Sequence, residues 1–400
     1  MCRERSPRSE RRLQIIVVTI GLLAILSLAM LGSVPAASVG SIRFATFNVS
    51  LYRSEQGELI EDLRGRDTQA RAIAEIIQRV RPDVLLINEF DYDADGTAAE
   101  LFRTDYLQVG QNGAEPIEYP YVFLGPSNTG VYTSAGQMIG YGLFEGQYGM
   151  LLLSMHPIDY ENTRTFRNFL WKDMPSALLP KNPDTGASWY SSQKLRVLPL
   201  SSKSHWDVPI LVEGQTIHVL ASHPTPPSFD GAEDANGCRN HDEIRFWADY
   251  ISGSAYVYDD AGRSGGLEPG DFFVIMGDEN ADPRDGDSRD QAILQLLDSP
   301  LVNASVTPSS EGAAEQAVLQ GGINDSHRGD PRYDTADFGD AGTCGNLRAD
   351  YVLPSATLEM LDAGVFWPLS SDPLFRLVGV YPFPSSDHRL VWADLKLPAN

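Results

Sequence analysis

The chain has 400 residues, 42% of them hydrophobic and 21% charged. Those are globular proportions, which exclude wholesale disorder and allow one large domain or two ordinary ones with a sizeable core. The charge is unusual: 31 basic against 54 acidic residues, net −23, with no basic stripe that would hold a nucleic-acid backbone by charge alone.

The first elements form an address. Arg3, Arg5, Arg8, Arg11 and Arg12 precede a 17-residue apolar run, Ile15–Leu31, and the small-residue stretch Ser33-Val34-Pro35-Ala36-Ala37-Ser38 follows it. A basic start, apolar middle and small-residue end predict an export signal over residues 1–36 and an extracytoplasmic protein. The alternative is an uncleaved anchor associating with the membrane, because 17 residues sit at the lower edge of a spanning helix. Cleavage after Ala36 would leave 26 basic and 52 acidic residues, net −26. It would also remove Cys2, leaving Cys238 and Cys344, which an oxidising compartment permits to pair. Three cysteines are too few for a disulfide scaffold or a Cys-based zinc finger.

Residues 37–400 read as one continuous α/β domain, without a linker or a repeat. Ile42–Val49 is an apolar strand ending at Asn48. Asp67 caps a helix over Thr68–Val80, whose Ala70, Ile73, Ala74, Ile77 and Val80 share a face. Val84–Asn88 is a buried strand leading to Glu89. Further strands are predicted at Gly149–Ser154, Thr216–Ser222, Phe272–Met276, Ala349–Leu353 and Leu390–Leu395, and helices at His241–Ile251 and Arg289–Leu297. Two long stretches, Asp91–Gln147 and Arg164–Trp206, read as surface insertions. The second holds Trp171, Trp189 and Trp206, an aromatic set able to touch a membrane surface.

Most of these strands run into a polar residue useful to phosphate chemistry: Asn48, Glu89, His223, and Asp278 with Asn280, while Asp350 begins a strand and Asp387-His388 precedes the last one. Each alone has an ordinary explanation as a turn or loop residue. Together they supply hard oxygen ligands for a divalent cation and groups to aim a water at phosphorus.

In combination the segments resemble the endonuclease/exonuclease/phosphatase superfamily, which includes DNase I-like nucleases, inositol-phosphate phosphatases and sphingomyelinases. The matching segments are FATFNVSLYR, VLLINEFDYD, YGMLLLSMHPI, VLASHPTPP, VIMGDENADP, RADYVLPS and SSDHRLVWADL, spanning residues 41 to 396. The resemblance implies a four-layered α/β sandwich, two packed mixed sheets flanked by helices. It implies Asn48, Glu89 and Asp387 as metal ligands, for Mg²⁺ or alternatively Mn²⁺ or Ca²⁺. It gives Asp278 the attacking water, Asn280 a supporting role, and Asp350 the pairing of His388. His223 and His388 would stabilise the pentacovalent phosphorus. The family usually places an apolar residue between the Asp and Asn of this D-x-N motif. Glu279 stands there instead, and contact with Arg284, Arg289 or a second cation is expected to satisfy it.

Lesser signals remain. Asp91, Asp93, Asp95 and Gly96 match the first half of a calcium loop, but the twelfth position is Phe102, so an acidic loop is the favoured reading. The acidic run Asp282–Asp290 reads as the start of the next helix. Asn240-His241-Asp242-Glu243 reads as a helix cap ahead of a metal site. The sequence therefore predicts an exported, metal-dependent phosphoesterase acting on a small-molecule ester. A secreted nuclease is the alternative, followed by a lipid-headgroup phosphodiesterase and a non-catalytic protein that keeps the fold. No obligate protein partner is evident.

Overall fold

The computed structural model describes residues 40–339 and 344–397, so the segment expected to direct export lies outside the described residues. The strands, in chain order, are β1 (Ser41–Leu51), β2 (Val84–Phe90), β3 (Tyr121–Leu124), β4 (Met150–Ser154), β5 (Arg164–Thr165), β6 (His205–Val212), β7 (Gln215–Ser222), β8 (Phe272–Asp278), β9 (Ala336–Asp337), β10 (Asn346–Leu347), β11 (Asp350–Pro354), β12 (Met360–Val365) and β13 (Val391–Lys396). The longer helices are α1 (Glu58–Arg64), α2 (Thr68–Val80), α3 (Ala235–Ile251) and α4 (Glu311–Gln320).

Two mixed sheets dominate. One has the order β12-β13-β1-β2-β4-β3, the other β11-β8-β7-β6-β5. Their alternating side chains create two cores, because successive residues of a strand point to opposite faces. Val219, Ala221, Val274 and Met276 pack inward against the β1–β2 sheet, while Leu220, Phe273 and Ile275 pack outward with Ile244, Trp247 and Tyr250 of α3. Helix α2 closes the other outer face. Asp67 caps it by accepting from the Ala70 amide at 2.7 Å, and Ile73, Ile76, Ile77 and Val80 are buried. Each such side chain contributes roughly 1.5–3 kcal/mol by leaving water. The result is the helix–sheet–sheet–helix layering that the family resemblance implied.

Three local expectations are corrected. Helix α3 begins at Ala235, not His241, so Asn240–Glu243 lies within the helix and caps nothing. The helix expected over Arg289–Leu297 is two separate turns, Arg289–Gln291 and Leu294–Leu297, because Asp290 sits at φ 51°. The run Asp282–Asp290 starts no long helix: Asp282 instead accepts from the amides of Arg284 and Asp285 at 2.7 and 2.8 Å.

The supposed insertions are structural. The first contributes β3 to a sheet edge. The second buries Phe166, Phe169, Trp171 and Leu200 in the outer core, then becomes β6. Glu213 and Gly214 join β6 to β7, both with positive φ, 49° and 84°, as a two-residue hairpin requires. Trp171 and Trp206 are 0% and 1% exposed, so they offer nothing to a membrane, and Trp189 alone of the three is accessible. No helix among the described residues is long and apolar enough to cross a membrane. Cys238 is a buried thiol, and no bond joins it to Cys344.

Candidate active site

The parallel pairs β1–β2 and β7–β8 end on one edge of the sandwich, which brings Asn48, Glu89, Ser222-His223 and Asp278 together. Two distortions shape this edge. A register shift interrupts the β1–β2 pairing between Asn48 and Leu51, with Ser50 at φ 50°. Glu89 itself adopts φ 58°, unfavourable for a side chain with a Cβ. Bulges and strained residues of this kind re-aim side chains at strand ends.

Asp278 is the focus. Its Oδ2 accepts from Asn48 Nδ2 at 3.0 Å and lies 3.4 Å from His223 Nε2 and 3.6 Å from His388 Nε2. Its Oδ1 accepts from the Asn280 amide at 2.9 Å. Burial alone would raise this carboxyl, but the positive His388 and the hydrogen bonds from His223 and Asn48 hold it well below the usual carboxylate range. Asn280 sits at φ 50° and turns its Nδ2 to the Pro224 carbonyl at 3.2 Å.

The two histidines differ. His388 Nδ1 meets Asp350 Oδ2 at 2.8 Å, and Thr335 Oγ1 donates to the same oxygen at 2.7 Å. Burial pushes His388 down, but Asp350 and Asp278 outweigh it and hold the ring well above its ordinary value. Burial pushes the Asp350 carboxyl up to about 6, so the pair is an ion pair at neutral pH. His223 goes the other way. Burial, reinforced by the Lys203 ammonium, lowers it to about 4, so its ring is neutral.

Glu89 and Asp387 face each other electrostatically. Burial, then the Asp387 charge, raises Glu89 to about 7. Asp387 accepts from Ser50 Oγ at 2.9 Å. Asn48 turns its Nδ2 to Asp278 while its Oδ1 accepts from the Ser50 amide at 3.2 Å. Such crowded carboxylates fit a hard divalent cation, which would relieve their repulsion, and Asn48 would offer it an oxygen only with its amide turned over. The compact acid–histidine group among the described residues is Asp278, Asp350 and His388. Its members already bond one another, so a metal there would have to displace the His388 ring from both carboxylates. The calcium-loop match does not form a metal cluster. Asp93 instead accepts from the amides of Thr97 and Ala98 at 2.8 and 3.0 Å, and Asp91 from those of Arg53 and Tyr148 at 2.8 and 3.1 Å.

A model of the endonuclease/exonuclease/phosphatase family matches residues 45–388. The chain belongs to this family. Its members are metal-dependent hydrolases of phosphoester bonds. Among solved structures, the chain is similar to an endonuclease/exonuclease/phosphatase from Beutenbergia cavernae, with 17% identity and a TM-score of 0.49, over 90% of this chain and 72% of that one. A family protein from Leptotrichia buccalis shows 15% identity and a TM-score of 0.46, over 90% of this chain and 100% of that one. Truncated TDP2 from Caenorhabditis elegans shows 16% identity and a TM-score of 0.42, over 90% and 99%. No curated protein sequence matches the chain.

The departure from the family's D-x-N pattern is resolved differently from expectation. Glu279 is fully buried and reaches neither Arg284 nor Arg289. Ser222 Oγ donates to its Oε1 at 2.8 Å, and Trp247 Nε1 donates to that hydroxyl at 2.8 Å. Its Oε2 has no partner among the described residues. Burial pushes this carboxyl up to about 8, so it is a neutral acid at pH 7. Sequence reasoning also missed Lys203 and Thr335, and it read Glu243 as part of a helix cap, whereas Glu243 accepts from the Ser202 and Thr225 amides. Thr335 carries no local motif. Lys203 lay within a supposed insertion, and its place just before a strand that pairs with the His223 strand was the available signal.

Proposed function

We propose that this family member is an exported phosphoesterase that uses Mg²⁺ to hydrolyse small phosphate esters. The carrying observation is Asp278 Oδ2, an anion on which Asn48, His223 and His388 converge within 3.6 Å. In this reading Asn48, Glu89 and Asp387 hold the cation, which supplies Lewis-acid polarisation of a phosphoryl oxygen. Asp278 accepts a hydrogen bond from the attacking water and aims its lone pair at phosphorus, in line with the ester bond that breaks. Asn280 keeps Asp278 turned through its backbone amide. His388, kept protonated by Asp350, and neutral His223 donate to oxygens where negative charge develops. The strongly acidic chain supports a small ester over a polyanion. The N-terminal pattern supports export.

One observation favours a nuclease as a second reading. The rings of Tyr52 and Tyr148 lie 4.6 Å apart beside Glu89 and line a cleft of about 280 Å³, and such aromatic ledges stack bases. The test offers the purified full chain p-nitrophenyl phosphate, bis-p-nitrophenyl phosphate, plasmid DNA and sphingomyelin, with Mg²⁺, with Ca²⁺ and with EDTA. Turnover of the small esters that EDTA abolishes is expected. Preferential cutting of plasmid selects the second reading, and no metal-dependent turnover of any of them refutes both.

A further inference from the structure

Lys203 is buried, 7% exposed, whereas the other four lysines of the chain reach solvent. Burying an ammonium is costly unless it is paired or serves a ligand. Lys203 forms no ion pair within 4.0 Å among the described residues. Its Nζ donates once, to the Pro224 carbonyl at 3.3 Å, so two of its three N–H bonds have no protein acceptor there.

Its position follows from strand pairing. Strands β6 and β7 are antiparallel with His205 opposite Ser222, so two residues beyond the ladder the same register carries Lys203 to Pro224, next to His223. The Pro224 carbonyl also takes Asn280 Nδ2 at 3.2 Å. Three donors, the Lys203 ammonium, the Asn280 amide and the His223 ring, thus gather around residue 224. Facing them are the acceptors Glu89 and Asp278, whose charges Lys203 feels together with that of Glu243. An arc of donors beside an arc of carboxylates suits a phosphate oxygen on the first and a cation on the second.

A staple from α3 holds this arc. Glu243 is completely buried, and its two oxygens accept from the amides of Ser202 and Thr225, each at 2.6 Å. These residues flank Lys203 and Pro224. One helical turn earlier, Asn240 Nδ2 donates to the carbonyls of Thr225 and Glu279, each at 2.9 Å. Residues three apart share a helix face. The Asn240–Glu243 run therefore ties together the segments carrying Lys203, His223 and Asn280.

We propose that Lys203 is a catalytic residue that binds a non-bridging oxygen of the substrate phosphate, and that Glu243 is its positioning residue. The proposal rests on the phosphoesterase reading and adds a fixed cation to it.

The test uses full-length Lys203→Met, Lys203→Arg and Glu243→Gln with Mg²⁺. It measures kcat and KM on bis-p-nitrophenyl phosphate, binding of inorganic phosphate by calorimetry, and the thermal midpoint. Lys203→Met is expected to lose about 10²-fold in kcat/KM, the scale for one transition-state donor, and at least about tenfold in phosphate affinity, with its midpoint kept or raised. Lys203→Arg is expected to recover part of both. Glu243→Gln is expected to weaken phosphate binding less than Lys203→Met does. If folded Lys203→Met binds phosphate as tightly as the parent, or turns over substrate as fast, the proposal is overturned and Lys203 is a structural cation. Should Lys203→Met fold poorly, Lys203→Arg and Lys203→Gln decide: phosphate affinity and rate partly kept by Lys203→Arg and lost by Lys203→Gln support the charge requirement, and equal affinity and rate in the two variants overturn it. If the parent binds phosphate through Lys203 but hydrolyses nothing, the phosphoesterase reading fails and the phosphate site stands.

Discussion

Glu279 makes the sharpest prediction. It is a carboxyl with 0% exposure, one hydrogen bond from Ser222 and a second oxygen without a partner among the described residues. Burial raises it from an ordinary 4.5 to about 8. The folded protein therefore binds a proton that the unfolded chain releases across this interval. Stability linked to Glu279 is fully present below about pH 4.5 and is lost as pH rises toward about 8. Each pH unit in between costs about 1.4 kcal/mol, so the loss from pH 5 to pH 9 is about 4 kcal/mol. Glu279→Gln removes the ionisation and keeps the shape. Its buried amide adds a fixed offset of about 1–3 kcal/mol that does not depend on pH. Urea unfolding of the parent and the variant at pH 5, 6, 7, 8 and 9 separates the two effects. The variant is expected to gain about 4 kcal/mol on the parent across the series. Parallel stability curves would refute the account of Glu279 as a neutral buried acid.

Other consequences can be read the same way. Asp278→Asn removes the anion on which three side chains converge, and it should cut turnover by about 10³-fold and lower the thermal midpoint, since the folded site favours the anion and the protonated His388 loses a partner. Asp350→Asn removes the largest anionic support of His388, so the alkaline limb of the rate–pH profile should move to lower pH; an unmoved limb would mean that the protonated ring is not required. Arg43 is fully buried, with Nε and Nη2 each 2.7 Å from the Asp394 carboxylate and Nη1 2.7 Å from the Val80 carbonyl. Arg43→Met should destabilise by about 3–5 kcal/mol in urea, and a paired Asp394→Leu change should recover much of that, because the cost lies in the stranded charge.

What the sequence displayed and what it hid have physical reasons. Strands buried on both faces, such as Val84–Phe90, announce themselves as apolar runs, and the catalytic candidates sit at the ends of such runs, Asn48, Glu89, His223 and Asp278 where one stops, Asp350 and His388 where one starts. The same edge therefore collects them. Contacts between distant segments leave no such trace. Glu243 reaches Ser202 and Thr225 only because α3 packs over the open end of the β6–β7 hairpin. The start of α3 was misplaced because residues 235–240 include Asn236 and Gly237, weak helix formers, and because Asp234 precedes them in a left-handed conformation. Glu279 was visible as an anomaly, but its partner Ser222 belongs to the neighbouring strand and is set by the register that pairs Ser222 with Gly277.

The charge that looked hostile to phosphate can now be counted at the site. Four carboxyl groups, Glu89, Asp278, Asp350 and Asp387, stand against two cationic groups, Lys203 and His388, while His223 and Glu279 are neutral at pH 7. The imbalance matches one divalent cation. Glu89 records it, since burial and the Asp387 charge hold its carboxyl up at about 7. A cation that needs Glu89 ionised must therefore displace a proton below that pH and need not above it. Mg²⁺ affinity should rise about tenfold for each pH unit below 7 and flatten above 8, with about one proton released per ion bound at pH 6. Calorimetry in buffers of different ionisation enthalpy measures that proton directly. Affinity independent of pH between 6 and 8 would show that Glu89 is already ionised, or that the cation binds without it. Glu89→Gln separates these: it should remove most of the affinity in the first case and leave it unchanged in the second.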